Sequence, residues 1–241
     1  MNKILTKKQL SDHAYSFVVE NGQIARSSRP GNFVTVRADI HSERIPLVVV
    51  DSDKQKGTLT LVVQEAGLSS TKFCQLAEGD EILDVVGPLG TPYAISKVGT
   101  VVCVGGGVGT VSVLPVARAM KEAGNRVVSV VAAQTKDRLV VVDEMRQASD
   151  ELIVVTDDGS EGQKGLPVDA LGEILAREQV DRIVVVGPGA MMEAICQVGK
   201  EKSIPVDVAL NAIIVDGTGI CGSCRLTIGG KTRFVCIDGP F

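Results

Sequence analysis

Three cysteines near the C-terminus hold the densest chemistry in the chain. The stretch reads Asp216-Gly217-Thr218-Gly219-Ile220-Cys221-Gly222-Ser223-Cys224, with Cys236 further on. Plant-type two-iron clusters use the spacing C-x4-C-x2-C…C, and Asp216 stands where the first cysteine would be. A carboxylate is anionic like a thiolate and binds iron as a harder, less covalent donor. Gly217, Gly219 and Gly222 let the backbone wrap closely and aim amides at cluster sulfurs, which tune a potential. The expected metal ligands are Asp216, Cys221, Cys224 and Cys236. Three other readings compete. A structural zinc site would also need Asp216, because the only histidines, His13 and His41, lie in the first region. A redox Cys-x-x-Cys pair leaves Cys236 unexplained, and plain core cysteines leave the glycines unexplained. Cys74, Cys103 and Cys196 sit singly in apolar surroundings and read as core thiols.

Glycine loops form the second set. Gly105-Gly106-Gly107-Val108-Gly109 follows an apolar run and opens a helical pattern, the context in which a pyrophosphate approaches backbone at a helix N-terminus. A glycine turn needed only for close packing is the alternative. Gly187-Pro188-Gly189-Ala190-Met191 follows another apolar run, and ligands gather at such strand ends; an ordinary strand-to-helix turn explains it equally. Asp157-Asp158-Gly159-Ser160 offers carboxylates that accept from ribose hydroxyls and repel a 2′-phosphate, favouring NAD over NADP, against the reading of a solvated turn. In the first region, Arg44-Ile45-Pro46-Leu47 sets an arginine before a strand, and Gly67-Leu68-Ser69-Ser70-Thr71 sets small hydroxyl residues at a helix start. A cation and a helix N-terminus together suit a pyrophosphate; separately they read as a surface arginine and an N-cap.

These groups need elements to hold them. The first ~95 residues read as short strands, Lys3–Leu10, Ala14–Glu20, Phe33–Arg37, Pro46–Val50, Thr58–Gln64 and Glu81–Val86, with one helix near Ser69–Leu76, a spacing that suits a small antiparallel barrel. From Thr100 strands alternate with helices: Val101–Val104, Thr110–Ala123, Arg126–Ala132, Lys136–Gln147, Leu152–Val155, Pro167–Arg177, Arg182–Val186, Ala190–Glu201 and Val206–Leu210. That rhythm means crossover units on a parallel sheet. A hairpin, Arg225–Ile228 and Thr232–Cys236, closes the pattern. The expected domains are 1–96, a barrel; 97–210, a nucleotide-binding α/β unit; and 211–241, a cluster-binding segment.

Composition excludes several classes. The 241 residues carry a net charge of −4 and no basic tract, which argues against nucleic acid. The uncharged stretch Val98–Ala117 is long enough to suggest a membrane span, but its glycine run and Pro115 read as strand, turn and helix. The first residues lack the apolar core of a signal peptide. A cytoplasmic protein without membrane contact is expected.

Taken together, the chain resembles the ferredoxin–NADP reductase-like electron-transfer subunits. This group includes the electron-transfer subunit of dihydroorotate dehydrogenase and the small (alpha) subunit of NADH-dependent reduced ferredoxin:NADP oxidoreductase, of the sulfide dehydrogenase type, which it resembles most. Pro30-Gly31-Asn32-Phe33-Val34, Glu43–Leu47, Asp84–Gly90, Gly105–Gly109, Thr156–Ser160, Val215–Cys224 and Cys236–Pro240 carry the likeness. The small subunit has an aspartate at the first ligand position, where the dihydroorotate relatives have cysteine. The resemblance implies FAD on the barrel at Arg44, Pro46, Leu47, Gly67, Ser69, Ser70 and Thr71. It implies NAD(H) on the glycine loop, Gly105, Gly106, Gly107, Val108 and Gly109, to which the strand-end reading adds Asp157, Asp158, Gly187, Pro188 and Met191, and it implies a [2Fe-2S] cluster on Asp216, Cys221, Cys224 and Cys236. It further implies an NAD(H)-dependent flavin oxidoreductase subunit with no catalytic side chain. Such a subunit exchanges hydride between NAD(H) and FAD, then passes single electrons to a larger iron–sulfur flavoprotein subunit in a heterodimer. Two departures stand out: Val48 where the family usually shows Thr, and Asn211-Ala212 where it commonly has Asn-Pro. The electron-transfer role with dihydroorotate dehydrogenase is one alternative, and a non-enzymatic nucleotide-binding regulator with a zinc knuckle is another.

Overall fold

A computed structural model describes residues 2–241. It separates into two compact units, one made of residues up to Tyr93 together with Leu210–Phe241, the other of Ala94–Ala209.

In the first unit the strands are β1 (Ile4–Ser11), β2 (Ala14–Glu20), β3 (Phe33–Arg37), β4 (Ile45–Asp53), β5 (Thr58–Gln64) and β6 (Asp84–Leu89), with helices α1 (Gly22–Ser27) and α2 (Leu68–Gln75). They form an antiparallel sheet in the order β1-β2-β5-β4-β3-β6. An isolated bridge between Lys3 and Glu81 ties the segments before β1 and β6 together, closing the sheet into a barrel. Ile4, Phe17, Leu59, Leu61 and Phe73 fill the interior with no solvent exposure. Alternation decides the faces: Val34 and Val36 point into this core, so Phe33, Thr35 and Arg37 point out of it.

The second unit contains β7 (Thr100–Gly106), α3 (Gly109–Glu122), β8 (Arg126–Ala133), α4 (Val142–Gln147), β9 (Glu151–Thr156), β10 (Gln163–Lys164), α5 (Pro167–Arg177), β11 (Arg182–Val186), α6 (Gly189–Lys202) and β12 (Val206–Val208). The sheet is parallel, in the order β10-β9-β8-β7-β11-β12. Its near-continuous Val and Ile runs are buried, as expected of strands covered on both faces. The order reverses between β7 and β11, so the glycine loops after these two strands open at the topological switch point.

The remainder, β13 (Arg225–Ile228), β14 (Lys231–Phe234) and α7 (Val235–Asp238), belongs to the first unit. It packs through a small apolar cluster in which Phe33 of β3 meets Cys224, Val235 and Cys236, flanked by Leu89 and Leu210. Several expectations shift. The helix expected over 136–147 is a short 3-10 turn at Lys136–Arg138 and then α4, because Val141 takes a left-handed φ of 50° that interrupts it. Cys236 lies in α7 rather than in a strand. Among the described residues no helix is long and apolar enough to cross a membrane.

Candidate functional site

In the second unit the two glycine loops meet. A Cβ added to Gly187 would lie 3.1 Å from Gly106 Cα, and one added to Gly106 would lie 2.7 Å from Met191 Sδ and 3.0 Å from Pro188 Cδ. Gly109 is as confined, 2.5 Å from Val186 O by the same construction, whereas Gly107 has φ +54° and open space beside it. A side chain at Gly106, Gly109 or Gly187 would collide with the facing loop or strand, so glycine lets the loops close together; Gly107 borders the open cradle beside the first turn of α3, where amides and the positive end of the helix dipole are presented. The cradle therefore fits the pyrophosphate of a dinucleotide. Gly105 to Gly109 and Gly187, Pro188 and Met191 are thus brought together. Asp157 and Asp158 follow β9, two strands or about 10 Å from β7. Asp158 Oδ1 accepts from Ser160 N (2.9 Å) and Ser160 Oγ (2.6 Å), and the Ser160 hydroxyl holds its carboxyl below the ordinary range. Both carboxylates are exposed.

In the first unit Arg44 pairs with Asp84 of β6, and Arg37 of β3 approaches the same carboxylate at 3.7 Å. The start of α2 is tied to this place because Glu43 N donates to Ser69 Oγ (3.0 Å). The N-cap of α2 is Gly67 rather than a serine; Ser70, the third helical residue, reaches back so that its Oγ accepts from Ala66 N (2.9 Å) and Gly67 N (3.0 Å). Thr71 N donates to Gly67 O within the helix (2.9 Å). Pro46 lies opposite Thr35 and Leu47 opposite Val34. Pro46 therefore shares the outward face of the barrel, while Leu47 packs against the interior cluster. This outward face also carries two buried polar atoms without hydrogen-bond partners, Thr35 Oγ1 and Arg37 Nε. A face with two guanidiniums, one carboxylate between them and orphaned donors fits a polar, anionic group such as FAD. Sequence patterning does not flag Thr35, Arg37 or Asp84, since their proximity depends on strand register.

The cysteine segment lies on the same unit. Cys224 Sγ and Cys236 Sγ, both buried, are 3.3 Å apart, well beyond the ~2.05 Å of a disulfide, and both thiols are free. Cys236 N also donates to Cys224 Sγ (3.5 Å), and burial pushes the Cys236 thiol up to about 11. Asp216 forms the other pair: its Oδ2 accepts from Cys221 N (3.3 Å), and its Oδ1 accepts from Thr218 N (3.0 Å) and the Thr218 hydroxyl. Cys221 is exposed, with its Sγ 3.1 Å from Ser223 Oγ. Among the described residues no three or more metal-ligating side chains converge on one point. The four lie on one loop and its adjoining helix; of the thiols only those of Cys224 and Cys236 meet, while Asp216 reaches the backbone N–H of Cys221. Gly217, at φ +84°, is needed there, since a Cβ would lie 2.7 Å from Leu89 Cδ1. By chemical type, three thiols and one carboxylate on this segment form a donor set that suits a two-iron centre.

Residues 211–241 match the family model described as the iron–sulfur cluster binding domain of dihydroorotate dehydrogenase B. Along its whole length the chain is 42% identical to a Thermotoga maritima protein described as a dihydroorotate dehydrogenase B (NAD(+)) electron transfer subunit homolog, covering 85% of that relative. It is 29% identical to the Streptococcus pneumoniae electron transfer subunit of dihydroorotate dehydrogenase B, over 99% of this chain and 94% of the other. Among solved structures, a chain from the NADH-dependent reduced ferredoxin–NADP oxidoreductase superposes with a TM-score of 0.94 at 42% identity, covering 100% of this chain and 87% of that one. Phthalate dioxygenase reductase shares the fold, with a TM-score of 0.66 at 17% identity over 96% of this chain and 74% of its own. On the full-length identity, the chain belongs to the family of dihydroorotate dehydrogenase B electron-transfer subunits and their homologues, which are oxidoreductase subunits.

Proposed function

We propose that this chain binds FAD, NAD(H) and a [2Fe-2S] cluster, exchanges hydride with the nicotinamide nucleotide and delivers single electrons to a partner subunit. The observation that carries the reading is the meeting of the Cys224 and Cys236 thiols, with Asp216 folded onto the backbone of Cys221, on a segment packed against strand β3 of the barrel. When bound, the three groups supply hydride and one-electron chemistry and convert electron pairs into single electrons. The chain's residues bind and orient. Arg44, steadied by Asp84, and the N-terminus of α2 hold the flavin phosphates, and Pro46 lines the flavin side of the barrel. The Gly105–Gly109 and Gly187–Met191 loops admit the nucleotide pyrophosphate to bare backbone, and Asp157 and Asp158 accept from ribose hydroxyls. Asp216, Cys221, Cys224 and Cys236 ligate iron, and Gly217 holds the turn that allows it.

The partner is a larger iron–sulfur flavoprotein subunit, in a cytoplasmic heterodimer that couples NADH, NADPH and ferredoxin. A partner that oxidises dihydroorotate is the second reading, supported by the match over residues 211–241; Asp216 in place of a cysteine weighs against it. Co-purification with the native partner separates the two.

Anaerobic purification tests the whole assignment. Flavin bands with a broad iron–sulfur shoulder are expected; a colourless protein with stoichiometric zinc overturns it. Asp216→Cys is expected to retain the cluster at an altered reduction potential. If Asp216→Ala leaves both iron content and potential at their original values, Asp216 is not a ligand.

A further inference from the structure

Thr35 is completely buried, yet its Oγ1 has no hydrogen-bond partner. A hydroxyl shut away from water in that condition is costly unless something absent from the protein itself completes it. Three observations say where such a group would lie. First, Thr35 faces out of the barrel, since Val34 and Val36 on either side enter the core. Second, it stands directly opposite Pro46 of β4, and opposed residues project from the same face of a sheet. Thr35 therefore shares its face with Pro46, and Arg44 stands two residues before Pro46, just ahead of that strand. Third, a Cβ built on Gly217 would have as its nearest neighbours Leu89 Cδ1 (2.7 Å), Thr35 Cγ2 (3.3 Å) and Phe33 Cε2 (3.7 Å). The methyl is thus the γ-atom turned toward the cysteine loop, and the hydroxyl is not among the closest atoms there. The Arg37 Nε, also without a partner, marks the same outward row of β3 as built for a polar occupant.

We propose that Thr35 positions the flavin: its hydroxyl hydrogen-bonds a polar edge atom of the isoalloxazine on the Arg44–Pro46 face, while its methyl supports the Gly217 turn. The flavin ring system offers both acceptors and an N–H, and a threonine hydroxyl can serve either. One side chain would then touch the flavin and the loop that carries Asp216. The proposal rests on the flavin reading given above.

The test compares Thr35→Val, which keeps the shape and removes the hydroxyl, with Thr35→Ser, which keeps the hydroxyl. FAD release from the purified holoprotein is followed by flavin fluorescence on serial dilution, and the visible flavin bands are recorded. Thr35→Val is expected to raise the FAD dissociation constant by about five- to tenfold and to shift the flavin bands, with Thr35→Ser close to the original protein in both. Unchanged affinity and bands in Thr35→Val overturn the proposal, as does equal loosening in both variants, which would mean packing alone. An original protein that purifies without FAD defeats the flavin reading itself, a result distinct from either.

Discussion

Gly109 shows how tightly a single position can be determined. A methyl there would press on Val186 O at 2.5 Å, and a backbone carbonyl, unlike a methionine side chain, cannot swing away. Gly109→Ala is expected to cost about 1–3 kcal/mol in stability and to raise the KM for NADH while leaving flavin content unchanged; denaturant titration and steady-state kinetics check the two halves. The glycine was legible in the sequence, but its crowding is that of the close-packing alternative, which the sequence left open beside a pyrophosphate site. Two of the three expected core thiols were legible too, whereas Cys196, on α6, is only partly buried. Burial pushes Cys103 up to about 12 and Cys74 up to about 11, as core thiols should be, and the remaining trio stands apart through its spacing. What the residues could not disclose were relations set by register. Asp84 as the partner of Arg44, and Thr35 beside Pro46, follow from which strands neighbour which, and a linear pattern does not carry that.

Among elements, the strands were the most readable, since alternation and β-branched runs fix them: β2, β3, β5, β11 and β13 begin and end where the patterning puts them. Helices were read less well where one residue overrides a periodic stretch. Val141 breaks the pattern over 136–147 with a conformation that its type disfavours. Asn21, just after β2, caps the unexpected helix α1, its Oδ1 accepting from Ile24 N (3.0 Å). Asn125, at the turn between α3 and β8, shows what such a loop residue can hold. It is buried, its Oδ1 accepts from Val98 N (2.6 Å) and Gly99 N (3.1 Å), and its Nδ2 donates to Ser96 O (3.0 Å) and Met120 O (2.8 Å). Asn125→Ala strands several buried backbone groups and is expected to lower the stability of the parallel-sheet unit by about 2–4 kcal/mol, measured by urea unfolding.

At the scale of the molecule, charge ties the parallel sheet together along one end. Arg126 grips Glu178 through Nε–Oε2 (2.7 Å) and Nη2–Oε1 (3.1 Å) and reaches Glu151 (3.1 Å), which Arg177 also pairs. The Arg126 hydrogen bond lowers the Glu178 carboxyl below its ordinary 4.5. A group depressed in the fold stabilises it above its unfolded value and loses that contribution as pH falls through the folded one. Glu178→Gln should therefore be less stable than the original protein at neutral pH, with the gap closing below roughly pH 4; unfolding midpoints across that range decide it.

The antiparallel unit is built from two stretches of chain with the entire nucleotide-binding unit spliced between them. Phe33 finds its packing partners, Cys224 and Cys236, only after some 200 residues of synthesis. On the ribosome the nucleotide-binding unit emerges complete while β3 still waits with an uncovered apolar flank. Translation itself sets an order: under the proposed ligation, the iron-binding donor set is incomplete until Cys236 has been made, long after β3.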